Sequence, residues 1–469
     1  MTDKDKFSPL VKQCFVTAAI CSNIIGHGCS FGYPAILLPK LLANDSVIPI
    51  TKSEASWIAG TLSLTMLMAY FITTPLMDSL GRRYTHIILT IPAIAGWLVI
   101  VMATTVSEII IGRILNGISI GMLFTLRSAL IGEYTSPQYR GGLLTTASLS
   151  QAFGIFFVHL LGSFTSWQRT ALICVFFHFI SLLMIIYSPE SPSWFLAKGR
   201  YDECRDVFKW LRGNKEDNEL EHMIQAQTEL KKLNNEIPKY SIRTCIETLK
   251  KNEFYKPIVL MSHCNIILQF SGGTTMAAYA TVILSHILGE GANVSFWMVF
   301  LDTQRIIFNT VAVFVLNKFK RRTMMFLTIG VCIFSHIAIA TYVLSTTLGW
   351  MSTSIWLPAL LINIQFITVA VGTVPLPIIV TGEVFPLKYK DLTYNLGFYG
   401  TYYLYALIMS FNLIMVWFLL PETKGKTLQE IEDEFRGQKL RLYDQHPKNL
   451  KHSRSLIDLE GKLICDSKT

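Results

Sequence analysis

Pro75-Leu-Met-Asp-Ser-Leu-Gly-Arg-Arg83 is a short charged knot set between two apolar stretches, each long enough to cross a bilayer. An acid followed by Gly81, Arg82 and Arg83 at such a place predicts a tight turn on the cytoplasmic side. Its positive charge stays out of the hydrocarbon and is able to latch onto a neighbouring helix end. The knot recurs in degraded form at Asn317-Lys-Phe-Lys-Arg-Arg322. Further along, Glu133 with Arg140-Gly141 is answered by Glu383 with Lys390-Asp391, and Pro189-Glu-Ser-Pro-Ser-Trp194 by Pro421-Glu-Thr-Lys-Gly425. Signals that repeat in one order predict two similar halves.

Composition places the chain in the membrane class. Of 469 residues, 51% are hydrophobic and 16% charged, and the mean hydropathy is +0.42, a balance that soluble domains of this length do not show. An all-α polytopic membrane protein is expected. The net charge of +9 does not point to nucleic acid, because the Lys and Arg residues lie in loops and tails between apolar runs. The expected partner is the lipid bilayer. Nine cysteines occur without a CxxC pair or a Cys/His cluster, so neither a disulfide framework nor a metal site is indicated. No Gly-rich phosphate loop or nucleophile constellation stands in a plausible context, so an enzyme is not expected and no cofactor is called for.

Residues 1–10 are polar and no cleavable signal precedes the first long helix, which predicts a cytoplasmic N-terminus. Six spans are expected at about 11–38, 55–77, 86–105, 108–131, 143–163 and 171–187, forming a first half over 1–187. Gly26, Gly28, Gly32 and Pro34 thin the far part of the first span, as helices lining a pathway or packing closely both do. Residues 188–256 carry 13 Lys and Arg against 12 Asp and Glu, a cytoplasmic linker expected to hold short amphipathic helices and to be solvated. The second half, 257–421, opens with spans at about 257–286, 297–316, 324–344 and 356–380, the last broken by Gly372-Thr-Val-Pro-Leu-Pro377. Two glycosylation sequons, at Asn44 and Asn293, both fall on the side read as external.

The spacing then falls short. Asp78 to Glu133 is 55 positions and Glu133 to Pro189 is 56, each holding two crossings. In the second half Asn317 to Glu383 is 66, but Glu383 to Pro421 is only 38, room for one crossing at about 394–420. The count comes to 11 spans rather than 12, one helix short near 391–394. Eleven spans would leave the tail outside, yet the charged tail 422–469 holds 10 Lys and Arg, which places it in the cytoplasm. Either a piece of exon size is lacking near Leu392 or the last segments take an unusual topology.

The order Asp-x-x-Gly-Arg-Arg (78–83), Gly112-Arg113, Glu133 with Arg140-Gly141, Pro-Glu-Ser-Pro-x-Trp (189–194), Gln269-x-Ser-Gly272, Gly-Glu-x-Phe-Pro (382–386) and Pro-Glu-Thr-Lys-Gly (421–425) resembles the sugar porter family of the major facilitator superfamily. The Gly32-Tyr33-Pro34 exit of the first helix is similar to the insect trehalose-transporter-like branch. The resemblance implies a major facilitator fold of two pseudo-repeated helical halves, with a sugar held between them and carried by alternating access. It also implies a gating charge network, matched by Asp78, Arg82, Arg83, Arg113, Glu133, Arg140, Glu190 and Glu383.

For the sugar site the resemblance gives Gln269 as the retained contact, with Ser148, Thr274 and Thr275 as substitutes where the family pattern is changed. Such residues also bond neighbouring helices. Arg305 and Arg127 lie inside apolar spans, where a charge is costly and faces a cavity or a partner. Arg305 is read either as paired with Asp302 at i,i+3 spacing or as selecting an anionic or more polar ligand. Arg127 is expected to snorkel toward the inner surface. His27, His159 and His178 are read as hydrogen-bonding neighbours rather than as a proton path. With no acid beside Gly32-Tyr33, the expected activity is facilitative transport of trehalose or a hexose at the plasma membrane. The alternative is a non-transporting relative that senses a ligand or binds a partner.

Overall fold

The structure, a computed structural model, describes residues 8–213 and, with short interruptions, 266–376, together with a few positions between 220 and 228. Among the described residues every regular element is a helix. The first half comprises α1 (Pro9–Leu42), α2 (Lys52–Leu80), α3 (Arg82–Met102), α4 (Val106–Tyr134), α5 (Pro137–Phe164) and α6 (Trp167–Ile186). Two short helices follow, α7 (Pro192–Lys198) and α8 (Tyr201–Arg212). The second half contributes α9 (Gly273–Leu288), α10 (Val294–Lys318), α11 (Arg321–Thr347) and α12 (Trp356–Thr368), the last continued by a π-helical turn at Val369–Thr373. By its contacts the chain divides into Met1–Ala406 and Leu407–Thr469, and every element named belongs to the first unit.

Among the described residues eight helices are long and apolar enough to cross a membrane: α1 to α6, α11, and α12 with its π turn. The expected spans of the first half each coincide with one helix to within a few residues. Local chemistry sets these boundaries. Thr51 and Thr105 accept from the backbone N–H of Glu54 and Glu108, whose carboxylates accept from the cap N–H in return, fixing the starts of α2 and α4. At the other end of α5, the Lys40 ammonium donates to the carbonyls of Gly162 at 3.2 Å and Thr165 at 2.7 Å, which its own helix leaves unpaired.

α1 is the central post of the first half, flanked by α5 and α6, while α3 and α4 pack together beside it. Its glycines are explained by close packing. A Cβ on Gly28 would lie 2.4 Å from the Gln151 carbonyl, and one on Gly154 would lie 2.1 Å from that of Ile25, so α1 and α5 meet backbone to backbone. Gly26 and Gly32 are filled in the same way by the rings of His178 and His159.

The linker and the second half depart from expectation. α8 is docked rather than solvated: Phe208 and Leu211 are buried, the Gln13 amide donates to the Leu211 carbonyl at 3.2 Å, and Arg212 donates to that of Thr135 at 2.9 Å. Its apolar stripe has a ready surface in the ends of α1 and α4, which a charge count does not reveal. The expected span at 257–286 is not one continuous helix, because the chain turns at Ser271–Gly272 and Gly272 takes a φ of +84°. The carbonyl freed at Ser271 is taken by the Gln365 amide of α12 at 3.2 Å. The expected crossing at 394–420 and the Leu392 junction lie outside the described residues.

The two halves meet at the end that carries the α1–α2 connection. Ala35 and Ile36 of α1 pack into an apolar cluster with Met276, Ala280, Leu284 and Leu288 of α9 and Met298 and Leu301 of α10. The Thr281 hydroxyl donates to the Ala35 carbonyl at 2.8 Å.

Candidate functional site

The charge knot is a compact assembly at the opposite end of the first half. Arg82, the first residue of α3, forks onto Glu133 at the foot of α4, with Nη2 to Oε1 at 2.9 Å and Nε to Oε2 at 3.0 Å. Glu190, in the connection after α6, accepts the backbone N–H groups of Arg82 at 2.7 Å, Arg83 at 3.1 Å and Ser191 at 2.8 Å. This makes an anion nest at the start of α3. The Ser191 hydroxyl donates to Glu133, and Arg83 donates to the Ile186 carbonyl at the end of α6 at 2.5 Å. Burial pushes the Glu190 carboxyl above the usual range, against the pull of those N–H groups and of Arg82. Gly81 has a φ of +96°, and a Cβ there would lie 2.4 Å from a Glu190 oxygen, so the turn and the acid fit only with glycine.

Of the other residues expected in this network, Asp78 is half-buried, and its backbone carbonyl accepts from the Trp194 indole at 3.2 Å. Arg113 lies elsewhere: fully enclosed between α1 and α2, it donates to the carbonyls of Ser30 at 2.6 Å and Ile58 at 3.1 Å. The arginine of a Gly-Arg pair can serve backbone carbonyls as well as carboxylates, so the motif alone did not place it. Arg140 is in the first turn of α5, and Glu383 lies outside the described residues.

Between α1, α4 and α5 lies a small cleft, lined by Ile24, His27, Phe31, Leu123, Phe124, Arg127 and Gln151. Arg127 does not snorkel to the surface. Its guanidinium sits 4.1 Å from the Phe124 ring centre and reaches the Gln151 amide oxygen at 3.5 Å. Gln151 was not singled out from the sequence. It stands three positions beyond Ser148, the half-buried residue that was, and so shares its helix face. Behind the cleft, Asn23 links His178 at 3.0 Å and Thr90 at 2.9 Å, and the His27 and His178 rings lie 4.8 Å apart. The histidines thus hydrogen-bond neighbours as expected, but those of α1 and α6 form a cluster rather than isolated contacts.

In the second half, Thr274 and Thr275 are exposed on the first turn of α9, while Gln269 lies outside the described residues. Gln365, read only as part of an apolar span, is buried and bonds Ser271 and His336, the latter at 3.4 Å. Arg305 is half-buried and makes no ion pair with Asp302 among the described residues. The carboxylate is taken instead by His159 of α5, which outcompetes a neighbour one helical turn away because it approaches from a facing helix. Asn44 and Asn293 are both exposed at the end where the halves meet.

Membrane-crossing helices in two halves, with an amide, a guanidinium and aromatic rings around a cleft in the first, describe a polytopic membrane carrier of the major facilitator fold. The chain belongs to the sugar (and other) transporter family, whose match covers residues 32–399 and 390–435 and breaks where the spacing of the second half falls short. The facilitated trehalose transporter Tret1 of Apis mellifera ligustica is 25% identical over 447 residues, covering 90% of this chain and 87% of that one. The Bombyx mori protein of the same name is 26% identical over 470 residues, covering 93% and 90%. Among solved structures, the xylose transporter XylE from E. coli in its inward open conformation matches with a TM-score of 0.58 at 16% identity. That match covers 91% of this chain and 100% of that one.

Proposed function

We propose that this chain carries trehalose or a hexose down its gradient across the plasma membrane by alternating access. The N-terminus and the Arg82–Glu133 knot face the cytoplasm, and Asn44 and Asn293 face outside. The observation that carries the reading is the Gln151–Arg127 pair beside Phe31 and Phe124, in a chain of this family. A ligand rich in hydroxyls needs convergent amide and charged donors over a stackable apolar wall, and each unmet buried group costs about 1–3 kcal/mol. Ser148 adds a hydroxyl one turn away, and Gln269, Thr274 and Thr275 are the proposed contacts from the second half. Arg305 tunes selection toward more polar ligands. The knot of Asp78, Arg82, Arg83, Glu133, Arg140 and Glu190 biases the equilibrium between states, with Glu383 as its proposed counterpart in the second half.

Uptake of labelled trehalose and glucose into proteoliposomes, against protein-free vesicles, tests this. Saturable uptake of one of them without an imposed ion gradient is expected, and Q151A should lower it about tenfold, the loss of one good hydrogen bond. Absence of saturable uptake of either sugar would sink the reading and favour a non-transporting relative.

A further inference from the structure

His159 and Asp302 stand on opposite halves, on α5 and α10, with Nδ1 2.5 Å from the carboxylate oxygen Oδ2. The other ring nitrogen faces two backbone carbonyls, that of Gly32 on α1 at 3.1 Å and that of Ala277 on α9 at 3.2 Å. Both side chains are enclosed, 1% and 7% exposed. Carbonyl oxygens only accept, so Nε2 carries a hydrogen. A second hydrogen lies between Nδ1 and Asp302, because two lone pairs at that separation repel. The pair therefore holds two protons and no net charge, whichever atom keeps the shared one. Removing one proton aims a lone pair either at two carbonyls or at a carboxylate, between side chains that are enclosed.

The surroundings offer no substitute. Titratable groups on the elements packed around the ring include Lys12, His27, Tyr33 and Lys40 on α1, Glu108, Arg113, Arg127, Glu133 and Tyr134 on α4, Arg169 and His178 on α6, Tyr279 and His286 on α9 and Arg305 on α10. Tyr33 bonds the Trp167 carbonyl at 3.0 Å, Lys40 caps α5, Arg113 bonds the carbonyls of Ser30 and Ile58, Arg127 and Glu133 belong to the cleft and the knot, and Arg169 is exposed. Among the described residues only Asp302 gives the imidazole a charged partner.

We propose that His159 and Asp302 are a proton-requiring clasp that shuts the outer mouth of the carrier. Opening outward parts the two halves and wets both side chains, so that either can give a proton to water. Wherever the parted pair has lost one, closure must take up a proton from the outer medium, and reopening returns it to the same side. External pH then sets the balance between outward-open and closed states without net proton movement. The inference rests on the alternating-access reading and not on which sugar is carried.

The test uses the full chain in liposomes and a membrane-impermeant maleimide added outside. I36C reports the sealed mouth, V47C in the exposed connection corrects for the pH dependence of thiol chemistry, and the unsubstituted chain is the blank. Labelling of I36C relative to V47C is expected to rise several-fold between about pH 5.5 and 8.5, a range that brackets histidine titration. D302A should be open throughout. D302N should be closed throughout, because an amide N–H can donate to the Nδ1 lone pair of a neutral imidazole. A ratio flat with pH in the native pair, or D302N titrating like it, overturns the proposal; proton flux tied to uptake overturns the same-side return. The native pH profile needs no substitution at the clasp, so a variant that misfolds leaves the test standing. Labelling is read without sugar, so failed uptake counts only against the sugar reading.

Discussion

Glu190 shows how a single acid can be both held and strained. Three backbone N–H groups stabilise its anion, yet enclosure outweighs them and its carboxyl binds a proton more readily than in the unfolded chain. Because the folded value is the higher one, the protein gains stability as pH falls through it toward the ordinary carboxylate value of about 4.3, and loses that gain as pH rises back. E190Q is expected to flatten this acid-side slope while lowering the melting temperature at neutral pH, since one amide oxygen replaces two acceptor oxygens. Thermal melts of both forms in detergent across the acid range check it, and superposable profiles would contradict it. The turn at Gly81 was legible from its residues, whereas Glu133 and Glu190 as partners of Arg82 came only from the resemblance to the family. Gln151 was not, since its three-residue offset from the expected position reads as one more polar residue in a helix. His159 and Asp302 are 143 positions apart with no motif around either, and only the folded chain brings them together.

At the scale of elements, the seam between α1 and α5 depends on having no side chains at Gly28 and Gly154. G154V would force those backbones apart, and overpacking of this kind costs about 1–3 kcal/mol or more. Loss of monodisperse protein on size-exclusion chromatography is expected, and a G154V chain that elutes and melts like the native one would show that the seam yields. Helix existence and approximate limits were readable throughout the first half, where apolar runs of spanning length are separated by capped, polar connections. The break before α9 was not readable, because Ser271-Gly272 ends one helix and begins another only with Gln365 there to take the freed carbonyl. Docking of α8 was likewise hidden, since its amphipathic stripe names no partner.

For the whole molecule, the proposed sidedness makes a simple demand. Both sequons lie on exposed connections at one end, so expression in an insect secretory system should give two glycan-dependent mobility steps, one removed by N44Q and the other by N293Q. A step from neither would count against that sidedness. Two-fold architecture was legible from the repeated motifs, while the state of the assembly, sealed by side chains where α1 meets α9 and α5 meets α10, was not.

That contrast between joints sets where motion can occur. Where Gly28 of α1 meets Gly154 of α5, backbone touches backbone with no room to slide. It is a weld. Where the halves meet, the Thr281 hydroxyl, the His159–Asp302 pair and the apolar side chains around Ile36 can each let go, so the joint behaves as a bearing. A carrier built this way moves its first half as one casting, and whatever trips the bearing, a proton or a sugar, moves all of that half at once.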